Sequence, residues 1–256
     1  MRAMRLRLLP LLFAWSLASS ASGEEVKVHA AAGVKGPLLK LAADYEAKTG
    51  HRIVAVFDTA GATNKAFLAD PDAAILITTQ ALIAEGEKSG GLANGVGARL
   101  ADTVAGFAAP PGASKPDVST TERLKAALLS VGRIAFSDPA RGATVGTHFL
   151  KMIESLGIRD EVLRKATLAP DGVETMRLVL EGKVDLGVTQ IAEIVQANRA
   201  ALVGPFPKEF DLATTYSLWH RASASPAARG FAALLTGPAG SAALAEEGLR
   251  PAAAAR

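Results

Sequence analysis

The chain has 256 residues, 49% of them apolar and 21% charged, enough to bury one large core or two smaller ones. It contains no cysteine, which excludes disulfides and a lipid-bearing cysteine anchor. Basic residues number 28 against 25 acidic ones, but three are Arg2, Arg5 and Arg7; beyond them the balance is 25 to 25, which leaves no basic surplus for nucleic acid.

Those three arginines open a segment that reads as an address rather than as structure. Leu8 to Ala18 is an apolar run and Ser19 to Gly23 a small-residue exit, the pattern of a secretory signal peptide over residues 1–23. The run is short for a membrane span, and no other apolar run reaches spanning length. Export without cysteine fits a soluble periplasmic protein with no lipid anchor.

From Val26 the chain alternates and then turns small at Ala30–Ala32, as a strand entering a core does. Gly33 to Pro37 leads into a helix whose face is Leu38, Leu41, Ala42 and Tyr45, closed by Gly50. His51 to Phe57 is a second strand, ending in the turn Asp58-Thr59-Ala60-Gly61 before a helix over Asn64 to Ala69. Asp72 to Thr79 is a third strand and Leu100 to Ala109 a fourth extended segment. A Pro-rich loop and a helix beginning near Ser119 or Thr120 follow.

Ile134 to Phe136 then forms a short strand, followed by the turn Ser137-Asp138-Pro139 and Gly142. Val145, Phe149, Met152, Ile153 and Leu156 have helical spacing, so a helix runs from Thr144 to near Gly157, with Gly146 in its first turn. Thr167 to Gly172 is a strand and loop, Val173 to Leu180 a helix, Val184 to Gln190 a strand and Ile191 to Ala197 a helix. Leu202 to Phe206 and Thr214 to His220 read as extended, Pro226 to Thr236 and Ser241 to Glu247 as helical, and Pro251 to Arg256 as a frayed tail. Strands alternating with helices predict a parallel α/β sheet.

The recurrent element is a strand passing through small residues into a helix. Such turns leave N–H groups free at the helix start, where an anion can approach the backbone and meet a partial positive charge of ~0.5. The competing reading is that Asp138, Thr144, Thr59 or Asp58 merely cap their turns.

The order of these pieces resembles the periplasmic molybdate-binding protein family of solute-binding proteins across nearly the whole chain. The residues that carry the resemblance are Ala31-Ala32, Phe57-x-Thr59-x-Gly61, Asp72-Ala-x-Ile-x-Ile-Thr78, Ser137-Asp138-Pro139 with Gly146, Glu181-Gly182-x-x-Asp185-x-Gly187, and Gly204-Pro205. The resemblance implies a two-lobed α/β fold of the type II periplasmic-binding class, each lobe a mixed sheet flanked by helices. Lobe 1 would take residues 24–101 and 217–256 and lobe 2 residues 102–216, with two hinge crossings near Thr103 to Phe107 and Thr214 to Ser217.

By the same resemblance a small anion sits between the lobes, touched by Gly33, Thr59, Ala60 and Gly61 on one side. On the other the contacts would be Thr144, Val145, Gly146, Val173 and Gln190. The expected partner is the membrane permease of an ABC transporter, the protein acting as a monomer without cofactor, metal or catalytic residue. Three departures bear on the ligand: Gly33 stands where the family carries a hydroxyl, Asp58-Thr59-Ala60-Gly61 replaces a serine-rich turn, and Gln190 replaces a common tyrosine. With Arg141 in the second-lobe turn, whose planar fork suits a carboxylate, a molybdate- or tungstate-type oxyanion and a small organic carboxylate both remain open. A stand-alone anion sensor has the same sequence features. An enzyme on this scaffold would draw its acid–base groups from Asp185, Glu193 and His148, but the chain has no nucleophile elbow or phosphate loop. The four histidines share no metal-ligand spacing.

Overall fold

The computed structural model describes residues 23–252; the signal-peptide reading of residues 1–23 falls, but for Gly23, outside them. The first half of the chain runs β1 (Glu25–Ala31), α1 (Lys35–Thr49), β2 (Arg52–Asp58), α2 (Ala60–Ala69), β3 (Ile75–Thr79), α3 (Gln80–Ser89), β4 (Gly95–Ala108) and α4 (Thr121–Ser130). Next come β5 (Ile134–Ser137), α5 (Thr144–Ser155), α6 (Arg159–Leu163), β6 (Ala166–Ala169), α7 (Gly172–Leu180), β7 (Leu186–Gln190) and α8 (Ile191–Asn198). The chain closes with β8 (Leu202–Pro205), β9 (Ala213–Arg221), α9 (Pro226–Thr236), α10 (Pro238–Glu246) and β10 (Arg250–Pro251).

The fold is two-lobed α/β, and one strand ties the lobes together. β4 pairs antiparallel with β9 from Gly95 to Val104, then changes neighbours and pairs with β7 and β8 from Ala105 to Ala108. The strand order is β2-β1-β3-β9-β4-β7-β5-β6, with β8 and β10 also on β4. The returning chain lies beside β4 at the same point, where the Ala105 N–H donates to the Leu212 carbonyl at 3.0 Å before β9 begins.

The parallel pairing expected from strand–helix alternation holds for part of each lobe, and the sheet as a whole is the mixed one that the resemblance implies. β1 is parallel to β2 and β3, and β5 to β6 and β7. β9 runs antiparallel to β3 and β4, and β4 antiparallel to β7. Antiparallel pairing is imposed by the crossings: β4 leaves one sheet and β9 comes back into it from the opposite end.

Each lobe has its own apolar core. In the first, Val28, Ala30, Ile75 and Ile77 pack under Leu38 of α1 and Phe231 of α9. Phe67, Leu76 and Trp219 cover the other face, with the Phe67 and Trp219 rings edge-on at 5.7 Å. In the second, Phe107, Phe136, Phe149 and Phe206 form an aromatic cluster, with centroids 4.9 Å apart for Phe107–Phe206 and 5.0 Å for Phe136–Phe149. Two helices, α3 and α6, are additions to the elements read from periodicity. The tail beginning at Pro251 is corrected too: Arg250 and Pro251 pair with Asp102 and Ala101 of β4.

Phe107 sits at 0% exposure just beyond the point where β4 changes lobes. Phe107→Ala should lower the unfolding free energy by about 3–5 kcal/mol in urea titration, whereas Val173→Ala, at an exposed position, should change it by less than about 0.5 kcal/mol.

Candidate functional site

Parallel strands end at one edge of a sheet, so the helices that follow them begin at that edge. β1, β2, β5, β6 and β7 all deliver small-residue turns to the seam between the lobes, where they enclose a cavity of about 30 Å³. Lobe 1 contributes Ala31, Ala32, Gly33, Asp58, Thr59 and Ala60. Lobe 2 contributes Ser137, Ala143, Thr144 and Val145 from one turn, Asp171 and Gly172 from a second, and Thr189, Gln190 and Glu193 from a third. Tyr216 completes the wall from β9, and no lysine or arginine lines it.

The helix starts are not equivalent. Thr59 caps α2 by accepting the Ala62 N–H at 3.2 Å, and Asp171 caps α7 by accepting the Glu174 N–H at 2.8 Å. Ala143 precedes α5 and no side chain caps that helix. Its first N–H groups, from Thr144 onward, have no partner within the helix, and Thr144 and Val145 face the cavity. The turn at Ala32–Val34, which carries Gly33, likewise has no side-chain cap.

Of the residues expected to touch a ligand, Gly33, Thr59, Ala60, Thr144, Val145 and Gln190 line the cavity, and Gly61, Arg141, Gly146 and Val173 do not. Arg141 instead reaches across the seam to Asp58, with Nη2 2.6 and 2.8 Å from its two carboxylate oxygens, while Nε donates to the Pro170 carbonyl at 3.0 Å. Gly61 donates its N–H to the Gly142 carbonyl at 3.2 Å, and a Cβ on Gly61 would lie 2.8 Å from the Gly142 Cα. Backbone meets backbone there, which only glycine permits. Gly146 serves packing, since a side chain would collide with the Ser137 carbonyl. Val173 points outward at 38% exposure.

Thr59 is both cap and bridge: its hydroxyl donates to the Arg141 carbonyl, so its one proton is already used across the seam. Asp138 is a structural cap that accepts the Ala140 N–H at 2.9 Å. Asp185, His148 and Glu193, the groups available to an enzyme, are not gathered. Asp185 pairs with Arg133 at 2.7 Å, His148 bonds the Phe210 carbonyl at 2.9 Å, and only Glu193 reaches the cavity. Among the described residues no group of three His, Cys, Asp or Glu could hold a metal ion.

Two wall residues stand outside the expected ligand contacts: Tyr216, and Glu193, which the sequence offered only as an acid–base group for an enzyme. Tyr216 lies in the return crossing, and alternation along β9 puts it on the same side as Thr214, a signal that was available. A Cβ on Gly33 would collide with the Tyr216 hydroxyl, so the glycine that replaces a hydroxyl residue makes room for a hydroxyl from another strand. Burial and the neighbouring Glu193 push the Tyr216 phenol well above its usual range, keeping it a donor. Gln190, 3% exposed, gives its Nε2–H to the Thr214 hydroxyl at 2.8 Å, and its Oε1 is buried with no partner among the described residues.

Glu193 is the second. It is 7% exposed, and Oε2 accepts the Thr189 hydroxyl and, at 3.2 Å, the Gln190 N–H. Burial raises its pKa to about 7, against the lowering effect of those two hydrogen bonds. Gly172 leaves the space the carboxylate occupies, since any side chain there would strike it.

Residues 26–250 match the sequence profile of the bacterial extracellular solute-binding protein family. No curated protein sequence matches the chain. Among solved structures, the periplasmic molybdate-binding protein of Azotobacter vinelandii superposes with a TM-score of 0.68 at 19% identity, over 88% of this chain and 98% of that one. A phosphate-bound substrate-binding protein of Clostridium perfringens superposes at 0.65 with 13% identity, over 90% and 100%. L-phospholactate-bound PEB3, a protein of Campylobacter jejuni, gives 0.62 at 16% identity, over 88% and 99%. Identities this low show a shared fold and carry no ligand with them.

The seam and the buried acid each give a test. Arg141→Ala removes a half-exposed pair and should cost less than about 1 kcal/mol of stability, yet enlarge the radius of gyration of the ligand-free protein in solution scattering; an unchanged radius contradicts a holding role for the pair. Glu193 has a folded pKa above its unfolded one, so its contribution is complete below an unfolded pKa of about 4.5 and lost as pH rises through about 7. Across that window wild-type unfolding free energy should fall relative to Glu193→Gln by up to about 1.4 kcal/mol per pH unit, measured by denaturant titration.

Proposed function

Because the chain belongs to the bacterial extracellular solute-binding protein family, we propose that it captures a compact tetrahedral oxyanion in the interlobe cavity and delivers it to the permease of an ABC transporter. The observation that carries this reading is the cavity itself. The uncapped start of α5 opens onto it, and no lysine or arginine lines its wall. Neutral donors at helix starts hold anions without a buried cation, and charge-assisted bonds of this kind contribute ~1.5–3 kcal/mol each.

One residue bears on the two ligand classes left open by the sequence. Arg141, the residue suited to grip a carboxylate, is committed to Asp58.

In this reading lobe 1 is residues 24–101 with 217–256 and lobe 2 is residues 102–216, closing about β4 and the entry to β9. The change of β4's partners at Val104 and Ala105 supports those limits. The ligand contacts are Gly33, Ala60, Thr144, Val145 and Gln190, joined by Tyr216. Residues 1–23 direct export, and the protein works in the periplasm. Among the described residues no helix is long and apolar enough to cross a membrane.

A thermal-shift series on the mature chain tests the class. At ~100 times its dissociation constant an oxyanion should add ~2.7 kcal/mol of stability, raising the midpoint by ~2–4 °C, and citrate should leave it unmoved. A shift with citrate and none with molybdate, tungstate or phosphate would overturn the proposal.

A further inference from the structure

The cavity that should hold an anion also holds an acid. Glu193 lines it, buried, on the first turn of α8. The Thr189 hydroxyl and the Gln190 N–H both land on Oε2, which leaves Oε1 for a further donor. The other acidic groups on the wall are spoken for. Asp58 is paired with Arg141, and Asp171 accepts the Glu174 N–H at the start of α7. Tyr216 is held protonated, and Asp171 adds a repulsion that works against charge on Glu193. No cation faces Glu193 from any wall of the cavity.

Gln190 cannot decide what enters, because its amide can turn: the Thr214 hydroxyl either accepts from Nε2 or donates to Oε1. Glu193 has no such freedom. Ionised, it only accepts; protonated, it donates one hydrogen. A dianion beside an ionised carboxylate, with no cation on the wall, is repelled unless one proton lies between them. That proton comes from the ligand or from solvent.

We propose that Glu193 makes the site select an oxyanion that carries its own proton, of the hydrogen phosphate or hydrogen arsenate kind, over a fully ionised one of similar shape such as sulfate or molybdate. The inference rests on the oxyanion reading of the cavity and names the ligand within that class. Where Glu193 is ionised, the O–H of hydrogen phosphate donates to its carboxylate and no proton is exchanged with solvent. With sulfate or molybdate Glu193 must be protonated, so above pH 7 each ligand bound takes up one proton from solvent. Because the free carboxyl titrates near pH 7, that uptake becomes tenfold less favourable for each pH unit above it.

Calorimetric titration of the mature wild-type protein and of Glu193→Gln with inorganic phosphate, sulfate and molybdate, near neutral pH and about two units higher, tests this. In the wild type at the higher pH, phosphate should bind at least about ten- to a hundredfold more tightly than the other two. Sulfate and molybdate should weaken about tenfold per unit with uptake of one proton, while phosphate stays nearly level. Glu193→Gln should abolish the pH slope and bring the three anions within about tenfold of one another. The wild-type slope is informative even if the variant folds poorly. Equal or tighter binding of sulfate or molybdate at the higher pH, or an unchanged preference in a folded Glu193→Gln, overturns the role of Glu193 and leaves the oxyanion site standing. No binding of any of the three to folded wild-type protein overturns the site reading, and this inference with it.

Discussion

The interlobe cavity has no lysine or arginine on its wall, so the donors it can offer an anion are chiefly backbone N–H groups at helix starts. These converge only because parallel strands end together on one edge of each lobe. The starts of α2 and α7 are capped by Thr59 and Asp171, whereas that of α5 and the turn at Ala32–Val34 have no side-chain cap. Leaving donors open costs stability in a ligand-free protein unless solvent or a ligand reaches them. The buried Glu193 carboxylate would be more costly still without the Thr189 hydroxyl and the Gln190 N–H on its oxygen. Local donors, not countercharges, set the chemistry of the cavity.

Charged groups were moved to the seam instead. Arg141 and Asp58 meet from opposite lobes beside the Gly61–Gly142 backbone contact, and the Thr59 hydroxyl adds a third link. A fourth lies deeper, where Gln196 of α8 bonds the Gly33 carbonyl at 2.8 Å and the Gly36 N–H at 2.9 Å. A half-exposed ion pair is worth at most about 1 kcal/mol, and each neutral bond roughly 1 kcal/mol. A few contacts of that size bias a two-lobed protein toward closure without locking it, so that a ligand's own binding energy can still govern the balance.

Around Gly33 the departures from the molybdate-binding pattern form one coupled set. Gly33 lacks a side chain because the Tyr216 ring stands in its place, and Tyr216 arrives on the strand that also presents Thr214 to Gln190. Because β9 is also a route between the lobes, a ligand touching Tyr216 would report directly on the relative placement of the two halves.

Much of this was written locally. Helical spacing at Val145, Phe149, Met152 and Ile153 places α5, and Gly50 at φ 74° ends α1 as a left-handed glycine should. Small residues at Gly33, Thr59 to Gly61 and Thr144 to Gly146 mark turns that do come to the seam. α3 escaped because Gln80–Ser89 has only two buried positions, Ile83 and Gly86, too few to show a stripe. What no local pattern could supply was pairing at a distance: β9 running antiparallel into a sheet of parallel strands, Arg141 claimed by a carboxylate 83 positions earlier, and Glu193 turned into the cavity rather than out to water. Periodicity records which face of an element is dry. The partner that meets that face is set by how the chain crosses twice between lobes, and that is decided only when both cores have formed.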